Sequence, residues 1–331
     1  MESGSDILLM FAVPVVLPFL PSAQIFWLYL LAAIGIAYAL YRKASTGSQG
    51  RKDDAGSNRR FMDFCLPKSV YLHRSAIVDY KFYAINVIVT AFLMASLVGI
   101  GFFTADSTER MLSALFGGSE RREGIGLEMR IAFTLSVLVA FDFGIFLVHF
   151  GLHRVPALWE FHKVHHSAEV LTPLTVYRVH PVDDLLYGLS TGVLTGIVQG
   201  AFTFAADGTV QAVQVLTVNA SLFAFYLLGY NLRHSHLWLA YPKWLSRILI
   251  SPAQHQIHHS SAPAHRDRNL GYLFAFWDGL ANTLYVPDCR ESLTYGLAGG
   301  EHVHYDGILA LYVLPFRRVL GWIRRPAGGG R

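Results

Sequence analysis

The stretch from Ile131 to Arg154 reads Ile-Ala-Phe-Thr-Leu-Ser-Val-Leu-Val-Ala-Phe-Asp-Phe-Gly-Ile-Phe-Leu-Val-His-Phe-Gly-Leu-His-Arg. Its apolar part, Ile131 to Phe150, has the roughly 20 residues that a helix needs to cross a bilayer core. It runs directly into His149 and His153, which stand at i and i+4 and so share one helical face. A span that ends in a chelating pair points to an all-α membrane bundle with a metal site at one end.

The rest of the composition agrees. Of the 331 residues, 53% are hydrophobic and 15% charged, against roughly 25% charged in an average soluble domain. The apolar residues come in long blocks, which predicts an integral membrane protein. The net charge of +4 reads as cytoplasmic loops facing anionic headgroups. Nucleic acid is excluded as a partner, because no basic stripe is interleaved with aromatic residues. Cys65 and Cys289 are too few and too far apart for a disulfide framework and fit packing thiols in a reducing compartment. Met1 to Asp6 carries no basic residue, so no cleavable signal is expected.

Working outward, hydropathy predicts about four to five spans. Ile7 to Leu20, broken by Pro14 and Pro18, is a leading segment: re-entrant, interfacial or part of a hairpin. Ala23 to Tyr41 is the first full span, and Arg42 to Arg60 a basic cytoplasmic loop. Further spans are expected near 83–103, 131–150, 185–205 and 210–230, with Thr104 to Met129 a polar connector and Ala206-Asp207-Gly208 a tight turn. Tyr305 to Ile323, holding Arg317 and Arg318, reads as an interfacial helix. Three regions follow: membrane segments and a basic loop over 1–60, a membrane-embedded catalytic domain over 61–300, and a C-terminal helix and tail over 301–331. Counted from the basic loop, the crossings bring both histidine regions, 149–180 and 234–259, to the cytoplasmic face as one His-rich cap.

Those regions repeat a pattern. His162-x-x-His165-His166 is followed by His255-x-x-His258-His259. Residues at i, i+3 and i+4 share a helix face, so each triplet presents three imidazoles side by side. An all-imidazole site favours iron, copper, zinc or nickel over magnesium or calcium. With His149 and His153 there are eight such histidines, more than the four of a structural zinc and enough for two metals.

In this order and spacing the motifs resemble the fatty acid hydroxylase / sterol desaturase superfamily of membrane di-iron oxygenases. Arg178-Val179-His180-Pro181, His234-Ser235-His236, Asn269-Leu270-Gly271 and Trp277-Asp278-Gly279 add to the resemblance, which covers about residues 130 to 285. It implies two irons, dioxygen as co-substrate, a membrane lipid substrate (sterol, fatty acyl or other), and electrons from a separate reductase with a ferredoxin or cytochrome. It implies His149, His153, His162, His165, His166, His234, His255, His258 and His259 as ligands and catalytic residues. His180 and His236 are further candidates for metal binding. The expected reaction is hydroxylation; desaturation at the same site is the alternative. The membrane would be a bacterial inner membrane or the endoplasmic reticulum.

Other residues invite a role. Asp142 lies seven residues before His149 on the same face, either an acceptor for a ligand imidazole or a structural carboxylate. Glu160, Glu169, Asp183 and Asp184 read as surface charges, with acceptors for ligand imidazoles as the alternative, Arg178 as a partner for a headgroup or one of those acids, and Gln254 as a wall of the site. A metal transporter would hold its ligands near mid-membrane, whereas these stand at span ends. A bis-histidine haem would need single histidines, not triplets.

Overall fold

The computed structural model describes residues 12–46, 60–117 and 125–323, mostly helical, with connecting loops and one two-stranded hairpin. Helix α1 covers Trp27–Thr46, α2 Arg74–Ala95, α3 Val98–Phe116, α4 Leu127–Arg154, α5 Pro156–His166 and α6 Pro181–Ala206. Ser96 and Leu97 keep right-handed helical backbone, so α2 and α3 run on as one rod. Among the described residues three stretches are long and apolar enough to cross a membrane: Arg74–Phe116, Leu127–Arg154 and Pro181–Ala206. Phe92, Phe102, Phe103 and Leu147 point outward from them, as lipid-facing residues do.

Helix α6 packs into this frame through Gly188, Gly192, Gly196 and Gly200, one per turn. A Cβ at Gly196 would lie 2.6 Å from the Gly101 carbonyl, and one at Gly200 2.3 Å from that of Ala105. Backbone-to-backbone approach of this kind replaces the hydrophobic driving force that lipid removes. The seam fixes the start of α6, and with it the floor of the histidine site.

Two expectations about the spans need correction. Val210 to Tyr230 is not one membrane-spanning helix. It forms strands β1 (Gln214–Val215) and β2 (Val218–Asn219), helix α7 (Ala220–Leu227) and a short turn over Tyr230–Leu232. Asn219 caps α7 by accepting from Ser221 N and Leu222 N, and Gly229, at φ 93°, ends that region. The run is apolar enough for a span, yet the side chains of Thr217 and Asn219 bond locally instead of extending a helix. The segment climbs back along α4: Val213 N donates to Thr134 Oγ1 (2.7 Å) and Asn219 Nδ2 to Thr134 O (2.9 Å). Non-helical backbone persists at membrane depth only where protein satisfies it in this way.

The first expected span survives as α1 but falls outside the three, because its last turns carry Arg42 and Lys43. The expected polar connector after residue 103 is helical as far as Phe116. Most of the basic loop, residues 47–59, and the tail from 324 lie outside the described residues.

The leading segment folds over α2, Tyr83 Oη donating to Pro14 O at 2.7 Å. Helix α10 (Ile308–Ile323), numbered after α8 (Pro252–His258) and α9 (Phe276–Ala281), caps α5. Leu311 and Tyr305 pack there on Val164 and Phe82.

Candidate metal centre

Three short pieces of chain bring the histidines together. The last turn and a half of α4 presents His149 and His153. Val155 then breaks the helix, and Pro156, at the first position of α5, starts the next at a new angle. Helix α5 presents His162, His165 and His166. Helix α8 is seven residues long and is held by a capping box: Gln254 N donates to Ser251 Oγ (3.3 Å) and Ser251 N to Gln254 Oε1 (3.0 Å). It presents His255 and His258, with His259 as its C-cap. His234 follows the turn at Tyr230–Leu232.

The nine imidazoles form two adjoining groups. His149, His153, His162, His166 and His258 make the first, and His165, His234, His255 and His259 the second; within each, the ligand atoms lie within 4.8 Å of one another. His165 and His259 rings are 4.5 Å apart, and His166 lies 4.8 Å from His259, so the groups touch.

Proton positions in the first group follow from its neighbours. His149 Nδ1 lies 2.7 Å from Leu270 O, His153 Nδ1 3.1 Å from Asp267 Oδ1, His162 Nδ1 3.0 Å from Asp183 Oδ2 and His258 Nδ1 2.9 Å from Arg268 O. Each neighbour only accepts, so each Nδ1 carries the proton and each Nε2 keeps a lone pair. The Nε2 atoms of His149, His153, His162, His166 and His258 are buried and without a partner. Buried polar atoms are rarely left so, and this set suits a metal.

In the second group the Nε2 atoms of His234, His255 and His259 stand in a triangle with sides of 3.0, 3.1 and 3.2 Å. Hydrogen bonds cannot satisfy three mutually facing lone pairs, whereas donors on one ion at about 2.0–2.1 Å lie about this far apart. Burial drives His162, His166, His234, His255, His258 and His259 well below the ordinary imidazole range, with nearby imidazoles adding to the effect for all of them. His165 is pushed down to about 3, first by burial and then by His149. The imidazoles are neutral at physiological pH, as ligands must be.

One loop holds most of the first group. Asp267, Arg268 and Leu270 each supply an acceptor to a histidine, and Asp267 and Asn269 adopt left-handed backbone at φ 54° and 55°. Asp278 accepts from Leu270 N (2.7 Å), Gly271 N (2.8 Å) and Thr283 Oγ1 (2.6 Å). Asn269 bridges Gln254 O and Tyr285 N. Asp142 accepts from Leu273 N, Phe274 N and Trp277 Nε1. It therefore touches no ligand imidazole and serves as the structural carboxylate.

Other expectations shift. His180 lies outside both groups, capping α6 through Nδ1 and bonding Tyr312 O through Nε2 (3.1 Å). His236 also lies outside, 2.8 Å from Phe64 O. Asp183, read as a surface charge, is buried and holds His162. Glu160 is buried too, paired with Lys163 (2.7 Å) and Arg318 (3.3 Å). Asp184 accepts from Thr90. Arg178 pairs with Asp79 at 2.8 Å, and Gln254 is a cap, not a wall. Trp159 covers the outer side of the first group, its ring 5.0 Å from His153 and 5.3 Å from His166.

A cavity of about 460 Å³ opens on the histidines. His149, His162, His165, His234 and His255 line its floor, and Val13, Leu17, Leu20, Val87 and Ala91 its apolar end.

Residues 134–283 match the fatty acid hydroxylase family. This bears out the resemblance read from the histidine motifs, and the matched stretch encloses every residue of both histidine groups. The chain is 28% identical over 183 residues to ornithine lipid hydroxylase OlsE of Rhizobium tropici, covering 55% of this chain and 49% of the relative. It is 24% identical over 178 residues to alkylglycerol monooxygenase of Caenorhabditis elegans, covering 52% and 31%. It is 24% identical over 166 residues to lathosterol oxidase of Homo sapiens, covering 50% and 49%. The chain thus spans about half the length, or less, of the curated relatives it matches. No solved structure matches.

Proposed function

We propose that the chain is a membrane di-iron oxygenase that hydroxylates a lipid, using dioxygen and electrons from a separate protein donor. One observation carries the reading: two adjoining groups of buried, neutral imidazoles, with unpartnered Nε2 atoms in the first and three mutually facing Nε2 atoms in the second, beside a largely apolar cavity. The relatives, by name an ornithine lipid hydroxylase, an alkylglycerol monooxygenase and a lathosterol oxidase, support the same class.

His149, His153, His162, His166 and His258 would hold one iron, and His165, His234, His255 and His259 the other. When bound, the pair supplies the activation of dioxygen that lets one oxygen enter a C–H bond while the other leaves as water, with two electrons and two protons consumed. The chain does the rest. Asp183, Asp267 and the carbonyls of Leu270, Arg268 and Arg178 fix the tautomer and tilt of the ligand rings. Val13, Leu17, Leu20, Val87 and Ala91 receive the lipid tail and keep water from the reacting carbon. The site would face the cytoplasm, where a soluble donor can reach it.

The test is a lipid mass comparison of wild type and His258→Ala in one aerobic host. A species heavier by one oxygen, present only with wild type, is expected. A wild-type species lighter by two hydrogens would replace hydroxylation with desaturation. Matching profiles from folded, iron-loaded protein supplied with a chemical reductant would overturn the reading.

A further inference from the structure

Beside the second histidine group stands a buried charge that, among the described residues, no carboxylate hydrogen-bonds; Asp142 acts on it only through space. Arg233 is 1% exposed. Its guanidinium lies over the rings of Phe225, Tyr230 and Tyr272, at 4.7, 5.1 and 5.5 Å. Among the described residues its one hydrogen bond runs from Nη2 to Ile250 O, at 3.0 Å. Other buried cations of the chain are paired, Arg178 with Asp79 and Lys163 with Glu160. The buried Asp142 offers Arg233 no such bond, its oxygens being taken by Leu273, Phe274 and Trp277. Arginine cannot shed its proton in a protein, and a buried charge without a partner is costly. Aromatic faces offset part of that cost but leave the planar fork free for an anion.

Arg233 also lines the cavity, with His234, His255, Gln24 and Tyr272 around it. We propose that Arg233 receives the acidic group, a carboxylate or a phosphate, of the lipid that fills this cavity. The inference rests on the hydroxylase reading above and deepens it. The acidic end sits at the histidine floor and the tail runs toward Leu17 and Leu20, so the oxidised carbon lies only a few bonds from the acid. The acid itself is unchanged by the reaction. A neutral lipid, such as a sterol or a long-chain alcohol, leaves the guanidinium unpaired and is discriminated against.

The first experiment measures binding, not turnover. The purified full chain in neutral detergent is titrated with hexadecanoate, hexadecyl phosphate and hexadecanol. Both acids are expected to bind at least ~10-fold more tightly than the alcohol, the scale of one charge-assisted pair. Arg233→Gln is expected to remove the preference while leaving metal content and elution profile unchanged. Arg233→Lys, which keeps the charge without the fork, retains part of it and decides the matter if the glutamine variant does not fold. Equal binding of acid and alcohol to wild type overturns the proposal, as does a preference that survives in Arg233→Gln. So does displacement of hexadecanoate by low-millimolar inorganic phosphate, which marks a general anion site.

The second arm locates the oxygen in the cellular product by tandem mass spectrometry. Oxygen in the fragment that bears the acidic group supports the proposal. Oxygen on a neutral lipid or deep in a chain overturns it and leaves the hydroxylase reading standing. Acid-selective binding without any oxygenated lipid, from iron-loaded enzyme given reductant, keeps the Arg233 site and removes the hydroxylase reading.

Discussion

The two histidine groups touch, yet they are built differently. In the first, four of five imidazoles donate Nδ1 to a protein oxygen, and one loop, Asp267 to Leu270, supplies three of those oxygens. In the second, His165 alone among the described residues does so, through Arg178 O (3.1 Å), and His255 Nδ1 has no partner. The first group is set by the fold before any ligand arrives; the second is set largely by what its three facing nitrogens share. Preorganised sites bind more tightly because less is ordered on binding, so the first group is expected to fill first and empty last.

The largest effect comes from removing a ligand in either group. His162→Ala and His255→Ala should each abolish lipid oxidation, beyond the ~10–100-fold that loss of an outer partner brings. Each should also cost about one metal equivalent by elemental analysis. If His255→Ala kept both metals, the division into two groups would be wrong.

Next is the support of the first group. Asp183→Asn and Asp267→Asn keep the side-chain size but weaken the acceptor for His162 and His153. Metal affinity should fall about 10–100-fold at one site of two in a chelator competition, with the other unchanged. Loss at both sites would mean that the groups are not separately held.

Asp278→Ala comes third. It strands the Leu270 and Gly271 N–H groups, and a stranded buried donor costs about 1–3 kcal/mol. The thermal midpoint should drop, and His149, which leans on Leu270 O, should lose affinity for metal while the second group keeps its own.

The smallest effect is that of pH on metal-free protein. Burial lowers the folded-state pKa of His165, His234, His255 and His259 below the ordinary 6.5. Below that pH the unfolded chain takes up protons that the fold refuses, so stability falls as pH falls and levels off above it. A melting series from pH 7.5 to 5 reads this; a flat profile would mean that the second group is hydrated without metal.

Which parts of this were legible in the chain follows from what each part requires. Ligands must be particular side chains at helical spacing, so the histidines of α4, α5 and α8 stood out. Their supports need only an oxygen, and a backbone carbonyl serves as well as a carboxylate. Asn269-Leu270-Gly271 stood out as a motif but not as the support of His149, nothing marked Arg268, and Asp183 read first as a surface charge. The glycines of α6 did lie in the chain at four-residue spacing, a signal of close helix packing that hydropathy alone overlooks. Val210 to Tyr230 misled because a hydropathy window averages over Thr217 and Asn219, whose local hydrogen bonds turn the chain. Arg233 carries no motif in the chain; its burial and the lack of a hydrogen-bonded carboxylate among the described residues are what mark it.

Trp159 gives the first group an optical handle. An indole 5.0 Å from one ligand ring and 5.3 Å from another lies well inside the range at which a bound transition ion drains an excited state. Its share of the emission of the six tryptophans should darken most as the first group fills and less as the second does. The order of filling can then be watched in the native chain without a label.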